Sequence, residues 1–447
     1  MILQDWWYTT LLAQAYPVAP PLMADIKADV LIVGAGMAGM AAAASFIDSG
    51  LKVVVLERNI VGGSSTGRSA GFLTPDSELE LSQLIRRFGA DGAKEIWEVP
   101  CRGIDLILQR AKEFDISCDL IKQDSLFVGL GKSGREDVLS EAATRASLGF
   151  ASTAYDTAQL GEVLGGQGYS AGVRYGGTHG INALQFVQGL KRRLMGLPNF
   201  TFHESTEVAK IEGHAAFTHA GSVMADAIIV ASDKPTRDVS PACDEVFHAQ
   251  TFLSISEPLS DHEVLKLFPS GEPLHCWDST LVYSYYRLTG DNRLLLGGGS
   301  TLTTFLPDYY DRKTIINRVI RDFRAHFPFL SELQFIQFWP GLIDASRDLL
   351  PVLMRDANAP WRHYVHGCVG LPWASFCGDF AGRAVQGKAE PDEARYYEYF
   401  TDRRDFLLPT WTGKILGKPM EFAINNAWAK YRQVDKDRLA PRVRGEF

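Results

Sequence analysis

The sequence has few of the features that mark disulfide scaffolds, zinc sites and nucleic-acid-binding proteins. Its 447 residues contain only six cysteines, which are scattered and form no CxxC pair. This spacing argues against a disulfide framework and against a metal site, and it favours a reducing compartment. The formal net charge is −8 and no block of Lys and Arg occurs, so we expect no nucleic-acid partner.

The chain also lacks a long unbroken hydrophobic run. The one candidate is VLIVGAGMAGMAAAASFI at 30–47, eighteen residues without a charge, which is the length of a membrane span. Its first part is β-branched and stops at glycines, so two elements fit it better than one membrane helix. The segment before Lys27 has no basic residue and carries Asp5 ahead of its apolar part, unlike a secretory signal. We therefore expect a cytoplasmic protein that does not associate with membranes.

The uncharged stretch instead predicts a βαβ unit. Residues 30–33 read as a buried strand, 37–49 as an Ala-rich helix that ends at Gly50, and 52–56 as the next parallel strand. Gly34, Gly36 and Gly39 then form the pattern G-x-G-x-x-G at the turn between strand and helix. Such glycines permit a tight turn, close approach of a pyrophosphate, and contact between helix and strand.

An acidic residue ends the second strand of this unit. Glu57 follows Gly34 by 23 residues, where a carboxylate accepts hydrogen bonds from the ribose hydroxyls of a dinucleotide. The helix N-terminus would face the phosphates. Strand, glycines, helix, strand and acid in this order predict a dinucleotide site, but this pattern alone leaves FAD and NAD both open.

A segment of small residues follows, GGSSTGRSAG at 62–71. Small residues let backbone amides and hydroxyls lie against a flat or phosphorylated ligand, and Arg68 could offer its charge to that ligand. A flexible surface loop is the alternative interpretation.

Several further stretches are spread along the chain: HGINALQFVQGLKRRL, TEVAKIEG, TFLSISEPL, YSYYRLTGDNRLLLGGG, FWPGLIDASRDLLP and YVHGCVGLPWASFCGDFAGR. Together with the two glycine-rich segments, they resemble the D-amino acid oxidase family of FAD enzymes, and more closely its branch containing gamma-glutamylputrescine oxidase. The resemblance runs in the family's order over roughly residues 1–445. It implies FAD as the cofactor.

The resemblance also implies roles for individual positions. The turn glycines would hold the FAD pyrophosphate, Glu57 the adenosine ribose, the backbone of Val208 the adenine, and residues 65–69 the diphosphate and flavin. The positions expected to contact FAD are Gly34, Gly36, Met37, Ala38, Gly39, Glu57, Arg58, Ser65, Thr66, Gly67, Arg68, Ser69, Ala70, Gly71, Val208, Ala231, Ser232, Gly341, Gly370 and Leu371.

Two departures from the family's pattern carry expectations. Relatives with covalent flavin have a His at the position of Arg68 or a Cys at that of Gly341, and this chain has neither, so we expect noncovalent FAD. The loop at 366–378 differs from the family's glycine-rich run and carries a bulky Pro372-Trp373, which weakens any transfer of the relatives' substrate to this chain.

These observations predict an α/β fold with a discontinuous Rossmann-like FAD-binding domain formed by 27–80, 170–240 and 335–390. Residues 81–169 and 241–334 are expected to form an α+β substrate or cap domain with an antiparallel sheet. Helices are expected in 81–169, with a strand near 126–130, and a helical tail is expected at 391–447. In that tail, Met420, Ile424, Ala427, Trp428 and Tyr431 share a helical face that would pack on the protein itself or, alternatively, dock on a membrane surface.

The candidate catalytic residues lie in a predicted strand of the cap domain and in the altered loop. On a strand at 282–288, alternation places Tyr283, Tyr285 and Arg287 on one face, where two rings could form a wall and the guanidinium could bind a carboxylate. His366 and Trp373 are expected to line the flavin edge or its access channel. Packing in the core is the alternative for each of them.

By resemblance, the expected reaction is oxidation of a primary or secondary amine, with hydride transfer to flavin N5, imine hydrolysis and release of hydrogen peroxide. The expected partners are a small-molecule amine and molecular oxygen or another electron acceptor. A dehydrogenase that passes electrons to a quinone or a carrier, and a non-catalytic flavin-binding subunit, remain as alternatives.

Overall fold

A mainly parallel β-sheet forms around the two valine-rich segments near the N-terminus. In the computed structural model, which describes all residues except 15, 77–78, 281, 300–312, 402–403, 405–407, 409 and 432–447, strands Ile26–Val33 and Val53–Leu56 pair in parallel. Helix Met37–Ser45 connects them, so the predicted βαβ unit is confirmed. The helix ends before residue 49 because the amides of Phe46 and Ile47 bond to carbonyls three residues back, which tightens the last turn.

Eight strands make up this first sheet. Its path runs Phe200–His203, Val53–Leu56, Ile26–Val33, Ser222–Val230, Ala215–Thr218 and Val208–Glu212. Strand Arg362–His366 pairs in parallel with Ser222–Val230 and antiparallel with Val352–Arg355. The segments that build the sheet are thus far apart in the sequence, as the predicted discontinuous domain requires.

A second sheet of nine strands supplies the other half of the molecule. Its order is Ile2–Leu3, Phe335–Ser346, Val246–Pro258, Arg293–Gly298, Tyr285–Leu288, Leu274–Asp278, Asp124–Leu130, Tyr169–Tyr175 and Thr153–Asp156. Most pairs are antiparallel, but the first and the sixth pair in this order are parallel, so the sheet is mixed. A small third sheet contains Phe72–Leu73, His179–Gly180 and Ile121–Lys122.

Helices cover both sheets. The α-helices are Trp6–Leu12, Met37–Ser45, Leu81–Glu113, Gly131–Ser147, Thr157–Leu160, Ala183–Met195, Asp261–Leu267, Lys313–His326, Leu371–Val385, Arg395–Tyr399, Gly413–Leu416 and Lys418–Tyr431. The 3-10 helices are Thr66–Arg68, Pro241–Glu245, Pro328–Leu330, Pro391–Ala394 and Thr410–Thr412. Among the described residues, none of these helices has both the length and the apolar character needed to cross a bilayer.

Separate hydrophobic cores lie on different sides of the sheets. One core joins Ile32 and Val55 of the first sheet to Phe376 and Phe380 of helix Leu371–Val385. Another joins one face of the second sheet to helix Lys313–His326, with Leu296 and Phe323 among its members. The opposite face of the second sheet carries Leu295 and Trp339, which pack with Leu184 of helix Ala183–Met195.

Sheet pairing differs from the predicted division of the chain at two segments. Residues 335–346 and 170–175 were assigned to the FAD-binding domain, but their strands hydrogen-bond within the nine-stranded sheet. Strand Phe335–Ser346 pairs along much of its length with Val246–Pro258, a contact between distant segments that local sequence patterns do not encode. The remaining boundaries of the two domains stay a prediction.

The C-terminal helix packs on its own protein, and at least one residue of the face expected to pack is exposed. Phe422 packs against Phe247 with ring centres 5.3 Å apart, and Glu421 pairs with Arg347 at 3.3 Å. Met420, which was placed on the packing face, is 54% exposed. The contacts of this helix thus include Glu421 and Phe422, which lie next to the predicted face. The side chains of Trp428 and Tyr431 lie outside the described part of the chain.

Candidate cofactor and active site

The glycine turn has the geometry of a phosphate-binding turn. Gly34 follows strand Ile26–Val33 with φ of +95°, a conformation that side chains strongly disfavour. A Cβ at this position would lie 2.6 Å from the carbonyl oxygen of Ala231, so the neighbouring strand also requires glycine. Gly36 is the N-cap of helix Met37–Ser45 and makes no side-chain cap, which leaves that helix end open to an anion.

Glu57 is fixed at the end of its strand. One of its carboxylate oxygens accepts the amide of Ala35 at 2.9 Å, and the other accepts the amide of Asn59 at 2.8 Å. The residue is 8% exposed, and burial raises the pKa of its carboxyl group above the ordinary value. Each oxygen keeps a further lone pair, so the fixed carboxylate can still accept a ribose hydroxyl.

A cleft runs along this edge of the first sheet. It has about 660 Å³ of empty space, part of it open to solvent. Predicted cofactor residues that line it are Gly34, Gly36, Glu57, Arg58, Val208, Ala231 and Ser232. The structure therefore brings together positions separated by about two hundred residues, and the space next to Glu57 and Val208 suits an adenosine.

The small-residue segment folds against the same helix end. Thr66 begins a 3-10 helix, and its hydroxyl accepts the amide of Met37 at 2.9 Å. Ser65 donates its hydroxyl to Asp233 at 3.0 Å. The segment is thus held in place and is not the flexible surface loop that its composition also allowed.

Four side chains around this segment donate hydrogen bonds to its carbonyl oxygens. Tyr8 donates its hydroxyl to Gly63 at 2.8 Å, and the indoles of Trp7 and Trp339 donate to Ser69 at 2.7 Å and Arg68 at 3.2 Å. Arg287 donates to Ala70 at 2.8 Å. The donors come from the N-terminal helix and from two strands of the second sheet. Of these four, the sequence indicated only Arg287 as a site residue.

Arg287 has a different environment from the one expected of a substrate clamp. It is fully buried, and its guanidinium also donates to the carbonyls of Ile181 at 2.9 Å and Leu288 at 3.1 Å. Burial lowers its pKa to about 10. Three of its nitrogens are thus bound to main-chain carbonyls, and one of these bonds holds the 62–71 loop at Ala70. A role of Arg287 in substrate binding stays a prediction.

Of the two candidate tyrosines, Tyr285 packs beside the loop, in one hydrophobic cluster with Ala70. The strand begins at Tyr285 rather than at residue 282, and the Tyr285 ring contacts Phe72 and Tyr283 edge-on, with ring centres 5.8 Å and 5.7 Å apart. Its hydroxyl lies 3.3 Å from the hydroxyl of Thr251. The strand partner of Thr251 is Gly341, where an added Cβ would sit 2.8 Å from the Thr251 hydroxyl and 3.7 Å from the Arg68 carbonyl. Gly341, Arg68 and Tyr285 therefore converge.

The altered loop places its two candidates elsewhere. His366 is buried, with its ring nitrogens near the Ser240 hydroxyl at 2.9 Å and the Ser232 carbonyl at 3.2 Å, and burial lowers its pKa to about 4. Trp373 is 1% exposed and packs edge-on against Phe400. Core packing, the alternative left open by the sequence, therefore describes Trp373, while His366 supports the strand end beside the cleft.

The flavin-lining candidates Gly370 and Leu371 begin helix Leu371–Val385. Gly370 is its N-cap and has φ of +112°. An added Cβ there would lie 4.0 Å from the carbonyl oxygen of Asp76, in the segment that follows the 62–71 loop. These two candidates thus face the same region as the loop.

Comparison with known proteins decides the family. Residues 29–384 match the sequence model of the DAO family, whose description is FAD dependent oxidoreductase. The chain belongs to this DAO family. It is therefore an FAD-dependent oxidoreductase, and the cleft, the open helix end and the Gly34 turn fit that cofactor.

Curated DAO-type relatives match almost the whole chain. A probable oxidoreductase OrdL of Haemophilus influenzae is 26% identical over 384 residues, which is 83% of this chain and 86% of that protein. Gamma-glutamylputrescine oxidoreductase of Escherichia coli is 26% identical over 396 residues, covering 87% and 90%. The chain is thus similar to both of these oxidoreductases over most of its length.

Solved structures show the same DAO fold at lower identity. Glycine oxidase from Geobacillus kaustophilus superposes with a TM-score of 0.72 at 17% identity, covering 85% of this chain and 99% of the other. L-proline dehydrogenase from P. horikoshii gives 0.67 at 14% identity, covering 84% and 100%. The expected fold class is confirmed.

Proposed function

We propose that this DAO-family chain oxidises a primary or secondary amine of amino-acid or gamma-glutamyl type. The bound FAD would supply the two-electron chemistry by accepting a hydride at N5 from the carbon next to the nitrogen. The amine nitrogen loses a proton, water then converts the imine to a carbonyl compound and an amine or ammonia, and oxygen takes up two electrons and two protons to give hydrogen peroxide.

The observation that carries this proposal is the convergence of Tyr285 and Phe72 over the loop that ends at Gly71. Their edge-on rings form an apolar wall next to the segment held by Trp7 and Arg287. Such a wall excludes water from a reacting C–H bond and favours the neutral amine, which is the form that can lose a hydride.

The relatives support the same reaction class. One similar curated protein is named for gamma-glutamylputrescine, and similar folds are named for glycine and for L-proline, all of which carry a C–N bond. The similarity in fold to an L-proline dehydrogenase supports a second candidate function, that of a dehydrogenase that uses an electron acceptor other than oxygen.

The test is anaerobic mixing of the FAD-loaded protein with polyamines, their gamma-glutamyl derivatives, N-methyl amino acids and D-amino acids, while flavin absorbance is followed. We expect at least one class to bleach the flavin. Admission of air then separates the two reactions: fast recovery with hydrogen peroxide indicates an oxidase, and slow recovery accelerated by a quinone indicates a dehydrogenase. Flavin that none of these compounds reduces would contradict the proposal.

Tyr285→Phe and Tyr286→Phe form a matched pair for this assay. The two tyrosines are neighbours on one strand, but Tyr286 points into the opposite core, where it packs on Phe323 and Phe327. We expect only Tyr285→Phe to change the rate of bleaching. Equal rates for both variants would remove the Tyr285 hydroxyl from the site.

A further inference from the structure

Two cysteines lie near the two ends of the altered loop at 366–378. Cys368 is in the short connection between strand Arg362–His366 and helix Leu371–Val385, and Cys377 is on that helix. The strand and the helix pack on each other. Cys377 belongs to the hydrophobic core of the FAD half, and Cys368 packs against the same core. The fold therefore brings together two side chains that are eight positions apart in the intervening chain.

The two thiols contact each other. The Cys368 thiol donates to the carbonyl oxygen of His366 at 3.8 Å, so its sulfur is left to accept the thiol of Cys377. This hydrogen bond, together with burial, raises the pKa of Cys377 well above its ordinary value. Both cysteines are free in the structure. Two free thiols in contact are the starting arrangement that a disulfide requires.

The connection that carries Cys368 is held at both ends. Gly367 has φ of +59°, and an added Cβ there would lie 2.9 Å from the amide nitrogen of Ser346, so the chain passes close to the neighbouring strand. At the other end, the carbonyl of Gly370 accepts the amide of Ala374 at 3.2 Å and starts the helix. The short connection therefore keeps the Cys368 thiol beside Cys377.

The two thiols differ in their access to solvent. Cys368 is half-buried, whereas Cys377 has no exposed surface. The thiolate is the reactive form of cysteine, and burial opposes its formation. A small oxidant therefore meets Cys368 first, and Cys377 is placed to react with whatever group forms on the Cys368 sulfur.

We propose that Cys368 and Cys377 form a reversible disulfide when the protein meets hydrogen peroxide, which makes this loop a redox modification site. The Cys368 thiolate attacks one peroxide oxygen, the O–O bond breaks, and the departing hydroxide takes up the proton that Cys368 lost. The Cys377 sulfur then attacks the Cys368 sulfur, the S–O bond breaks, and water leaves with the Cys377 proton. Two thiols thus lose two electrons and two protons, and one peroxide becomes two waters.

The proposed disulfide would act on the cofactor because both cysteines adjoin elements of its site. Gly370 and Leu371, two of the candidates for FAD contact, lie between them in the chain. Gly378, next to Cys377, packs on helix Met37–Ser45 so closely that an added Cβ would lie 2.0 Å from the Ala38 carbonyl oxygen. A covalent bond that moves the start of helix Leu371–Val385 should therefore change the surroundings of the flavin.

The experiment treats the FAD-loaded full chain with hydrogen peroxide, blocks the remaining thiols in denaturant and counts them. The chain has six cysteines, so we expect six free thiols before treatment and two fewer after it. The mass should fall by two hydrogen atoms, and peptide mapping should join Cys368 to Cys377. Dithiothreitol should restore all the thiols. Because the peroxide is added, this test does not depend on the proposed amine oxidation.

Cys101→Ser is the matched control for Cys368→Ser. Cys101 is also half-buried and also packs against the core of the FAD half. Peroxide should remove two thiols from Cys101→Ser, as in the wild type, and it should form no disulfide in Cys368→Ser. The flavin absorption spectrum should shift with peroxide and return with dithiothreitol in the wild type and in Cys101→Ser, but not in Cys368→Ser.

The outcomes decide separate parts of the proposal. Six thiols retained after peroxide treatment, or a disulfide that joins other cysteines, would overturn it. A Cys368–Cys377 disulfide with an unchanged flavin spectrum would confirm the modification site and refute its effect on the cofactor. If Cys368→Ser binds no FAD, peptide mapping and the spectrum of the wild-type protein still decide both parts.

Discussion

Gly36 and Gly39 belong to one motif, but the structure predicts different consequences when each is replaced by alanine. A Cβ on Gly39 would lie 1.8 Å from the Gly34 carbonyl oxygen and 2.9 Å from its carbon. A normal C···O contact is about 3.3 Å, so helix and turn would have to separate by roughly 1.5 Å. Overpacking of this kind costs ~1–3 kcal/mol and sometimes more. Gly39→Ala should therefore destabilise the protein even without cofactor.

Gly36 is less constrained by the protein itself. Among the described residues, its Cβ would come within 4 Å of the Thr66 hydroxyl alone, at 3.3 Å, and its φ of −75° and ψ of −169° suit any residue. Loss of glycine at an N-cap costs about 1 kcal/mol. The added methyl group would, however, stand at the open helix end where a phosphate must approach closely. Gly36→Ala should keep a nearly normal apoprotein and weaken FAD by about tenfold or more.

The assay has two readouts on the apoproteins: the midpoint of thermal unfolding and the FAD dissociation constant from quenching of flavin fluorescence. We expect Gly39→Ala to lower the midpoint clearly more than Gly36→Ala, and Gly36→Ala to change mainly the dissociation constant. Unaltered FAD affinity in Gly36→Ala, or a wild-type midpoint in Gly39→Ala, would refute the reasoning.

Further predictions concern the cofactor, the loop and the stability of the fold. FAD should appear in the supernatant after acid precipitation, and colour kept in the pellet would contradict noncovalent binding. Glu57→Ala should weaken FAD by about 1–3 kcal/mol in the same titration, through loss of charge-assisted hydrogen bonds. Arg287→Lys cannot reach all three carbonyls, so the flavin spectrum should shift even where FAD content is normal, and an unchanged spectrum would argue against its loop-holding role. Burial opposes ionisation of Asp348, but Arg404 and Arg87 hold the pKa of its carboxyl group below the usual range. The stabilisation from the ionised carboxylate is therefore present above about pH 4, and it is lost as pH falls through the pKa of the folded state. Asp348→Asn should cost about 3–5 kcal/mol at neutral pH and flatten that part of the stability profile measured by denaturant unfolding.

Sequence patterns could predict the FAD cofactor because the signals for it are local. Gly34, Gly36, Gly39 and Glu57 lie within one βαβ unit, whose strand and helix periods fix their relative positions. The cleft is also lined by Val208, at the start of strand Val208–Glu212, and by Ala231, just after strand Ser222–Val230.

The substrate half could not be predicted in the same way because its contacts join distant segments. Alternation correctly put Tyr285 and Arg287 on one face, but it could not show that the guanidinium reaches Ala70 and Ile181. Nor does any local pattern connect Asp76 to Tyr175, whose hydroxyl donates to Asp76 from a strand of the second sheet.

The hydrogen bonds on the flavin loop bear on when the enzyme can acquire its cofactor during synthesis. Trp7 and Trp339 both hold carbonyls of one short loop, yet 332 residues separate them along the chain. A nascent chain that has formed its βαβ unit still lacks the Trp339 indole and the strand that carries it, since contacts of such long range form late. FAD capture should therefore follow release of most of the polypeptide from the ribosome, and a chain interrupted before residue 339 should remain colourless.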